Sequence, residues 1–400
     1  MKNYFDIIIA GSGLTGLCTS ISLAKLGYKI ALIDIISYNQ RNSFNYDSRT
    51  TALSVRTANF LDKIGIWKKI IKYACPINKI LVEEPFSETS SYFKKNADTK
   101  ALGYMIENKY LVKELISSAK AEKNINKIEG KVIQIRRFDK FIETQISGHK
   151  KLTSSLLIGA DGKNSNVRSL ADIKYFKKNY NQKAFIFNIK HQKPHKNIAI
   201  ESFLEEGPLA CLPITKNKDK NFHSSIVWSS NAHHNYYVLK NKNKYLKDFL
   251  QNNLGNRLGR IKIVSSIKHW DLSLVKSKEY IEDRVLLIGD SAHSIHPLAG
   301  QGFNLTIRGL EKLCSIGKKN IKETKDIGNL RKLTDYNYKH YLDAEAIIFA
   351  TDKLNALFSN PNPFLKIVRV NGLRIFSKSS FLKNLFKNYA SSGKISNTKA

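Results

Sequence analysis

The 400-residue chain contains few cysteines, and no two of them stand close together. The four are Cys18, Cys75, Cys211 and Cys314. A small disulfide scaffold needs a dense set of paired cysteines, and a zinc ribbon needs closely spaced ones. The spacing therefore excludes both classes and predicts reduced cysteines buried in the core.

The chain also lacks a long apolar run. A membrane-spanning helix needs about 18 or more consecutive apolar residues, and no segment approaches that length. The first residues show neither the apolar stretch nor the small-residue cleavage site of a signal peptide. We therefore expect a protein that is not integral to a membrane and is not exported. Hydrophobic residues make up 42% of the chain, which is enough for a sizeable core.

Acidic residues are scarce, since 33 Asp and Glu stand against 66 Lys and Arg for a net charge of +33. Such a charge suggests nucleic acid or an anionic membrane as a partner. Many lysines, however, alternate with asparagine, as in 216–221 and 240–244, and both residues have A-rich codons. These runs lack the interleaved aromatic residues that stack on bases. We predict no nucleic-acid partner and keep anionic lipid as an alternative.

A glycine-rich turn follows the first apolar run, at 5–10. Gly11, Gly13 and Gly16 have the spacing G-x-G-x-x-G and precede a helical pattern, and Asp34 ends the next apolar run. Such glycines permit a tight turn, close approach of a pyrophosphate and close helix–strand packing, and an acid in the position of Asp34 accepts hydrogen bonds from a ribose. The unit predicts an adenine dinucleotide site and leaves FAD and NAD both open.

Two later apolar runs also end in glycine and aspartate, at Gly159-Ala160-Asp161-Gly162 and Gly289-Asp290. The second continues as GDSAH at 289–293 and HPLAGQGFN at 296–304. This series resembles the single-Rossmann FAD-dependent aromatic hydroxylases. The same resemblance extends to the N-terminal glycines, the segment 47–53, Ser165, Arg168 and a closing segment near Gly372. Within these hydroxylases the sequence is most similar to the ubiquinone-biosynthesis hydroxylase family, over nearly the whole chain.

The resemblance implies an α/β fold, with a Rossmann-like FAD-binding domain, an inserted mixed-sheet α+β substrate domain and C-terminal helices. Alternating polar and apolar residues between about 175 and 280 agree with an inserted sheet. The expected division is an FAD-binding domain at 1–80, 100–175 and 280–345, a substrate domain at 81–99 and 176–279, and a C-terminal helical region at 346–400.

The resemblance also implies which residues bind FAD. Asp290 is expected to accept hydrogen bonds from the ribityl hydroxyls, Arg49 to reach the phosphates, and Asp161 to support both FAD and the reductant. The helix that opens at Gly300-Gln301-Gly302 directs backbone N–H groups at the flavin. The full set of expected cofactor-binding residues is Gly11, Gly13, Gly16, Asp34, Arg49, Asn108, Asp161, Gly289, Asp290, Pro297, Gly300, Gln301, Gly302 and Asn304.

By resemblance, the activity is hydroxylation of the ring of a polyprenylated phenol in ubiquinone biosynthesis, with molecular oxygen, through a flavin C4a-hydroperoxide. No catalytic acid or base is assigned. The electron donor, NAD(P)H or a separate reductase, stays undecided. Alternatives are a related hydroxylase acting on another aromatic substrate, and a weakly active FAD-binding scaffold among other ubiquinone-biosynthesis proteins.

Three further features complete the expectations. Thr306 and Gly309 stand where the family has glycine and aspartate. His293 and His296 lack a third ligand at matching spacing, so no metal site is predicted.

Apolar and basic residues interleave at 364–387, which is typical of a surface that contacts anionic lipid, or of helices packed on the FAD domain. We expect a cytoplasmic protein that is peripherally associated with the inner face of the cell membrane.

Overall fold

A computed structural model describes residues 4–43, 49–84, 89–95, 99–149, 151–215, 221–240, 242–323 and 326–358. Asp47, Ser48, the closing segment near Gly372 and the apolar-basic segment 364–387 lie outside these residues. The predicted domain division stays a prediction.

The strands in this part of the chain are, in order, β1 (Tyr4–Ala10), β2 (Ile30–Asp34), β3 (Thr50–Ser54), β4 (Ala74–Ile77), β5 (Lys79–Glu84), β6 (Thr89–Lys94), β7 (Gly103–Glu107), β8 (Ile125–Glu129), β9 (Val132–Arg137), β10 (Ile142–Ile146), β11 (Leu152–Gly159), β12 (Tyr175–His191), β13 (Ile198–Leu204), β14 (Gly207–Ile214), β15 (Phe222–Asn231), β16 (Ile261–Ile263), β17 (Lys268–Ser277), β18 (Ile281–Glu282), β19 (Val285–Leu287) and β20 (His293–Ser294).

The α-helices are α1 (Leu14–Ala24), α2 (Tyr38–Ser43), α3 (Val55–Lys63), α4 (Trp67–Ile70), α5 (Asn108–Ala121), α6 (Asn166–Leu170), α7 (Ala232–Lys240), α8 (Lys242–Leu258), α9 (Gln301–Glu323) and α10 (Leu330–Phe358). Short 3₁₀ turns cover Gly289–Ser291 and Leu298–Gly300. The helix that was expected to open at Gly300-Gln301-Gly302 is α9, which begins at Gln301.

The first sheet has the strand order β18-β19-β11-β1-β2-β8, with β10 and β9 continuing beside β11. The strands β19, β11, β1, β2 and β8 run parallel to one another, whereas β18 and β10 pair antiparallel with β19 and β11. Ile7, Ile8 and Ile9 of β1 are fully buried, as expected for a parallel strand covered on both faces. The Rossmann-like unit predicted from the glycine turn is confirmed.

The second sheet has the order β20-β17-β12-β15-β14-β13-β5-β6, with β16 beside β12, and most of its pairs are antiparallel. One face packs on α8, where Trp228 of β15 stacks on Phe249 with ring centroids 4.3 Å apart. The opposite face turns toward β3 and the segment that follows β20, since Thr50 Oγ1 donates to Ser225 Oγ at 3.0 Å and His296 Nε2 lies 3.2 Å from Gln182 Oε1. The predicted mixed inserted sheet is confirmed.

A third, three-stranded sheet (β3-β7-β4) lies between the other two. No helix in the described ranges is both long enough and apolar enough to cross a membrane. Cys18, Cys75 and Cys211 are free and buried, as the sequence predicted, whereas Cys314 is free and half-buried.

Candidate functional site

The glycine turn between β1 and α1 is built by close backbone contacts. Gly11 has φ +101°, and a Cβ there would lie 2.3 Å from the carbonyl oxygen of Ala160. A Cβ at Gly16 would lie 1.8 Å from the carbonyl oxygen of Gly11. A Cβ at Gly13, by contrast, would meet nothing within 4 Å. Gly11 and Gly16 are therefore required by the fold, whereas Gly13 leaves open space beside the N-terminus of α1, where a phosphate would meet backbone N–H groups.

Asp34 closes this turn from the end of β2. Its Oδ2 accepts hydrogen bonds from the Ser12 backbone N–H at 2.6 Å and from Arg41 Nη2 at 2.8 Å, and its Oδ1 accepts from the Ile36 N–H at 2.9 Å. Burial opposes ionisation, but these backbone hydrogen bonds and Arg41 together lower the pKa of the carboxyl. Asp34 thus positions the glycine turn, a contact that the sequence did not reveal, and its bond to a ribose stays a prediction.

The segment that enters β3 carries Arg49. The guanidinium of Arg49 lies 5.8 Å from the ring centroid of Trp270 and is close enough to Asp290 to oppose a rise in that carboxyl's pKa. Asn108 is buried at the start of α5, where its Oδ1 accepts a hydrogen bond from Thr51 Oγ1 at 2.6 Å and its backbone N–H donates to the Arg49 carbonyl. Asn108 therefore fixes the segment that presents Arg49.

The loop after β11 is held by Asp161. Its carboxylate accepts hydrogen bonds from Ser165 Oγ at 2.5 Å and from the Asn166 N–H at 2.8 Å, at the start of α6. Arg168 is buried in α6 and donates to the carbonyls of Lys163 and Ser291, at 2.9 and 3.0 Å. The loop is thereby joined to the segment that contains Asp290. A direct bond from Asp161 to FAD stays a prediction.

Asp290 follows β19 in the 3₁₀ turn. The preceding Gly289 has φ +68°, and a Cβ there would lie 2.8 Å from Thr15 Oγ1 of α1. Asp290 is surrounded by protein, so that desolvation raises the pKa of its carboxyl against the opposing charges of Arg49 and Lys163. Its side chain is nevertheless exposed. An enclosed yet accessible carboxylate lines a cleft, and it can accept hydrogen bonds from a ligand there.

The turn at 297–302 opens α9 beside the same cleft. Gly300 has φ +59°, and a Cβ there would lie 2.9 Å from the Cβ of Ala52, whereas a Cβ at Gly302 would meet nothing within 4 Å. Asn304 is buried, and both polar atoms of its side-chain amide form hydrogen bonds. Its Nδ2 donates to the Ala52 and Gly300 carbonyls, and its Oδ1 accepts from the Ser54 N–H. Asn304 therefore ties β3 to this turn.

The second sheet completes the cleft. His296 Nε2 lies 3.2 Å from Gln182 Oε1, on the face of β12 that is opposite α8. Leu298 of the 3₁₀ turn packs against Phe203 of β13 in a small apolar cluster. Pro297, between them, begins the turn. The cleft thus lies between the segments that carry Asp290 and Gly302 and one face of the second sheet.

These residues fit FAD. Gly13 and Gly302 leave open space at two helix starts, Arg49 and Lys163 supply positive charge, and Asp290 offers an accessible acceptor. The α9 start would hold negative charge on the flavin ring, and Asp290 would hold its ribityl chain. When bound and reduced, FAD activates molecular oxygen for transfer to a ring carbon.

The departures at Thr306 and Gly309 have a structural explanation. Thr306 Oγ1 donates to the Gly302 carbonyl at 3.1 Å, so its hydroxyl is satisfied within α9. At Gly309, a Cβ would lie 2.6 Å from Nε2 of His340, a fully buried residue of α10. His340 Nε2 also lies 3.4 Å from His293 Nε2. The space beside His293 is therefore filled by His340.

Four buried histidines predict that the protein loses stability in acid. Burial lowers the pKa of His191, His293 and His296 to about 4 and that of His340 well below its usual value. Because the unfolded chain takes up these protons near pH 6.5, the stabilisation is complete above that pH and is lost as the pH falls toward 4. Between pH 7 and pH 5, the free energy of unfolding in urea should fall less for the His191→Gln variant than for the wild type.

The matched control for that series is His149→Gln, since His149 is exposed on the loop after β10. Its unfolding free energy should follow the wild-type pH dependence. Equal pH dependence in the His191→Gln variant and the wild type would contradict the assignment of the acid loss to buried histidine.

Comparisons with known proteins agree with this geometry. The model of the family described as "FAD binding domain" matches residues 4–327. The ubiquinone hydroxylase UbiL of Rhodospirillum rubrum is 28% identical over 390 residues, which cover 96% of this chain and 89% of that protein. The 3-demethoxyubiquinol 3-hydroxylase of Escherichia coli is 26% identical over 393 residues, which cover 96% of this chain and 98% of that protein.

Solved structures show the same fold. The crystal structure of PqsL, a probable FAD-dependent monooxygenase from Pseudomonas aeruginosa, superposes with a TM-score of 0.78 at 17% identity, covering 93% of this chain and all of that chain. The resemblance read from the sequence motifs is thereby confirmed, and FAD is the dinucleotide. The chain therefore belongs to the FAD binding domain family, within which it is a single-Rossmann FAD-dependent aromatic monooxygenase.

Proposed function

We propose that this enzyme hydroxylates the aromatic ring of a polyprenylated phenol, an intermediate of ubiquinone biosynthesis, with molecular oxygen as the second substrate. Relatives that match almost end to end are named as a ubiquinone hydroxylase and a 3-demethoxyubiquinol 3-hydroxylase. Electrons come from NAD(P)H or from a separate reductase, and other ubiquinone-biosynthesis proteins are candidate partners.

The observation that carries the proposal is the apolar lining of the cleft. Strand register aligns Val82, Ala210, Val227 and Ile186 in one row on the sheet face opposite the α9 start. All four side chains are apolar, and three of them stay half-exposed although they lie in the interior of the sheet. Glu201 stands in the same row between Val82 and Ala210, and Lys268 of β17 pairs with Ile186 at its far end. The apolar stretch formed by Ala210, Val227 and Ile186 suits an uncharged aromatic ring.

Complementation tests the proposal in the cell. The chain is expressed in bacterial strains that each lack one ubiquinone ring hydroxylase, and the lipid quinones are measured by mass spectrometry. We expect ubiquinone to return in one strain, which also identifies the ring position. The Asp290→Ala variant is the matched control and should restore nothing.

Failure in every strain, with an expressed and FAD-loaded protein, would contradict the proposed substrate. A related hydroxylase would then be indicated by conversion of a small soluble phenol. Stable association with other ubiquinone-biosynthesis proteins without any turnover would indicate the scaffold alternative.

We further propose that the enzyme binds the surface of anionic membranes, where such a substrate resides. Support comes from the charge of +33 and from an apolar stripe on α10. Tyr338, Leu342 and Phe349 lie on one side of this helix and are 67%, 54% and 65% exposed. Glu345 lies on the same side between Leu342 and Phe349, where Lys276 pairs with it at 2.6 Å, and Lys353 lies 5.5 Å from the Phe349 ring. Apolar side chains flanked by lysine suit an anionic lipid interface.

Liposome flotation tests this contact. The wild type should float with vesicles that contain phosphatidylglycerol, and less with phosphatidylcholine vesicles or in high salt. The double variant Leu342→Glu/Phe349→Glu should lose most of its binding. Ile133→Glu, on an exposed position of β9, is the control and should bind like the wild type. Unchanged flotation of the double variant would overturn the proposal.

A further inference from the structure

Glu201 is an acidic residue in the row of Val82, Ala210, Val227 and Ile186 that lines the cleft. It lies at the centre of β13, opposite Val82 of β5 and Ala210 of β14. Residues 200 and 204 of the same strand belong to the core beneath α8, so the alternation of the strand turns Glu201 to the other face, toward the flavin site.

Apolar contacts lie on both sides of Glu201 along β13, and the Glu201 side chain faces the cleft between them. Ala199, two residues before Glu201, packs in a cluster that includes Ala52 of the three-stranded sheet. Phe203, two residues after it, packs against Leu298 and stacks on Phe358 of α10. Ala52 and Leu298 both belong to the surroundings of Gly300, at the flavin-side turn. Glu201 thus faces the cleft at the place where a substrate ring would lie beside that turn.

The carboxyl has no protein partner. Within the described part of the chain, no group donates a hydrogen bond to Glu201 or forms an ion pair with it. Its side chain remains half-exposed at an enclosed position, and burial raises the pKa of the carboxyl to about 7. A structural carboxylate in a sheet interior is normally paired, as Glu83 is with Arg257 and Ser202 on the opposite face. Glu201 therefore remains available to a ligand.

We propose that Glu201 accepts the hydroxyl proton of the phenolic substrate while the ring is hydroxylated. The inference rests on the proposed function. In this step the phenolic O–H bond breaks, its proton forms a bond to a carboxylate oxygen of Glu201, and the electron pair stays on the phenol oxygen. The resulting phenolate is richer in electrons at the ring carbons ortho and para to that oxygen, which are the carbons that attack an electrophilic oxygen. No oxidant beyond the molecular oxygen of the proposed reaction is required.

The other titratable groups near this face have partners of their own. Glu84 lies on the same face of β5 and is buried with a partner, His296 contacts Gln182, and Asp352 of α10 is paired with Lys178 and Tyr180. The pKa of His296 is lowered to about 4 by burial, so it is neutral in the range in which Glu201 titrates. The expected pH dependence near 7 therefore belongs to Glu201.

The test measures hydroxylation in a single turnover. The FAD of the holoenzyme is first reduced, and the enzyme is then mixed with oxygen and one of two substrates, a short-chain 2-prenylphenol or its more acidic ring-fluorinated analogue. In the wild type the rate should fall below pH 7 as Glu201 takes up a proton. In Glu201→Gln the rate at pH 7.5 should drop about 100-fold or more with 2-prenylphenol. The drop should be much smaller with the fluorinated phenol, which ionises by itself. Glu201→Asp should recover part of the rate, and the control Glu205→Gln, exposed at the hairpin end, should match the wild type.

Unfolding provides a readout that is independent of the substrate. The folded carboxyl keeps its proton up to pH 7 whereas the unfolded one releases it near pH 4.5, so the wild type loses stability as pH rises through this window. The Glu201→Gln variant should lack that loss and be at least as stable as the wild type above pH 7.

The possible results separate the two proposals. Equal rates and pH profiles in Glu201→Gln and the wild type would overturn the role of Glu201 and leave the proposed function intact. An equal drop with both phenols would also overturn it, because a structural defect does not depend on substrate acidity. A wild type that oxidises its reduced FAD but hydroxylates neither phenol would overturn the proposed function together with the proton transfer.

Discussion

Gly11→Ala and Gly16→Ala are expected to give unstable protein that is purified without FAD, whereas Gly13→Ala is expected to fold normally and to lose FAD affinity alone. A methyl group at Gly11 or Gly16 would overlap a backbone carbonyl oxygen, at 2.3 and 1.8 Å, and a backbone cannot move aside as a long side chain does. The free energy of unfolding of the apoprotein should fall by about 3 kcal/mol or more.

Gly13 is the discriminating position. It has φ −70°, and a methyl group there would contact nothing in the protein, so the apoprotein should keep its wild-type stability. The same methyl group would occupy the space at the N-terminus of α1 that we assign to the pyrophosphate. We expect FAD to bind at least about 10-fold more weakly, which corresponds to about 1.4 kcal/mol.

Two measurements check this series. Chemical denaturation of the apoproteins gives the stability, and titration with FAD, followed by quenching of flavin fluorescence, gives the affinity. Wild-type FAD affinity in Gly13→Ala would contradict the assignment of the pyrophosphate to this turn. Wild-type stability in Gly16→Ala would contradict the close contact between α1 and β1.

Gly309→Asp, which restores the acid usual in the family, is expected to destabilise this protein by about 3 kcal/mol or more. The new side chain would begin 2.6 Å from the ring of His340, which is fully buried, and would bring a carboxylate into the core. His340→Ala alone should cost about 2–4 kcal/mol, because it leaves a cavity between α9 and α10.

The double variant Gly309→Asp/His340→Ala tests whether the two positions compensate each other. Removing the ring opens space for the aspartate beside Arg308 and His293, so the double variant should be more stable than the sum of the two single losses predicts. Unfolding free energies of the four proteins form a double-mutant cycle. A coupling energy of zero would contradict the explanation that His340 replaces the family's acid. The exposed variant Lys339→Ala, next to His340 on α10, is the control and should change stability little.

The local part of the fold was predictable from the sequence. The apolar run before Gly11, the glycine spacing and the run ending in Asp34 form a strand–turn–helix–strand unit within about thirty residues, and their geometry depends on neighbours in the chain. The motif at 289–304 was identified through its resemblance to the FAD-dependent aromatic hydroxylases. Both lie at carboxyl ends of strands, where ligands bind in this class of sheet.

The contacts of the site residues were not predictable, because they depend on distant segments. Asn304 was expected among the cofactor-binding residues, and the structure shows that its amide joins Ala52 to Gly300. The sequence showed Gly309 only as a departure from the family's aspartate, whereas the structure shows that it accommodates His340 of α10. Glu201 stands in an alternating strand pattern that permits either face, and only the register of β13 with its neighbours shows that it turns to the cleft.

We propose that this chain transfers an oxygen atom from molecular oxygen to the ring of a prenylated phenol. The most direct test is a single turnover of the purified holoenzyme. Its FAD is reduced chemically without oxygen, which removes the need to know the electron donor, and the enzyme is then mixed with a short-chain 2-prenylphenol and ¹⁸O₂. The account predicts a product with one added ring hydroxyl that carries ¹⁸O. Complete reoxidation of the flavin with hydrogen peroxide as the only product, or a hydroxyl labelled from water, would contradict it.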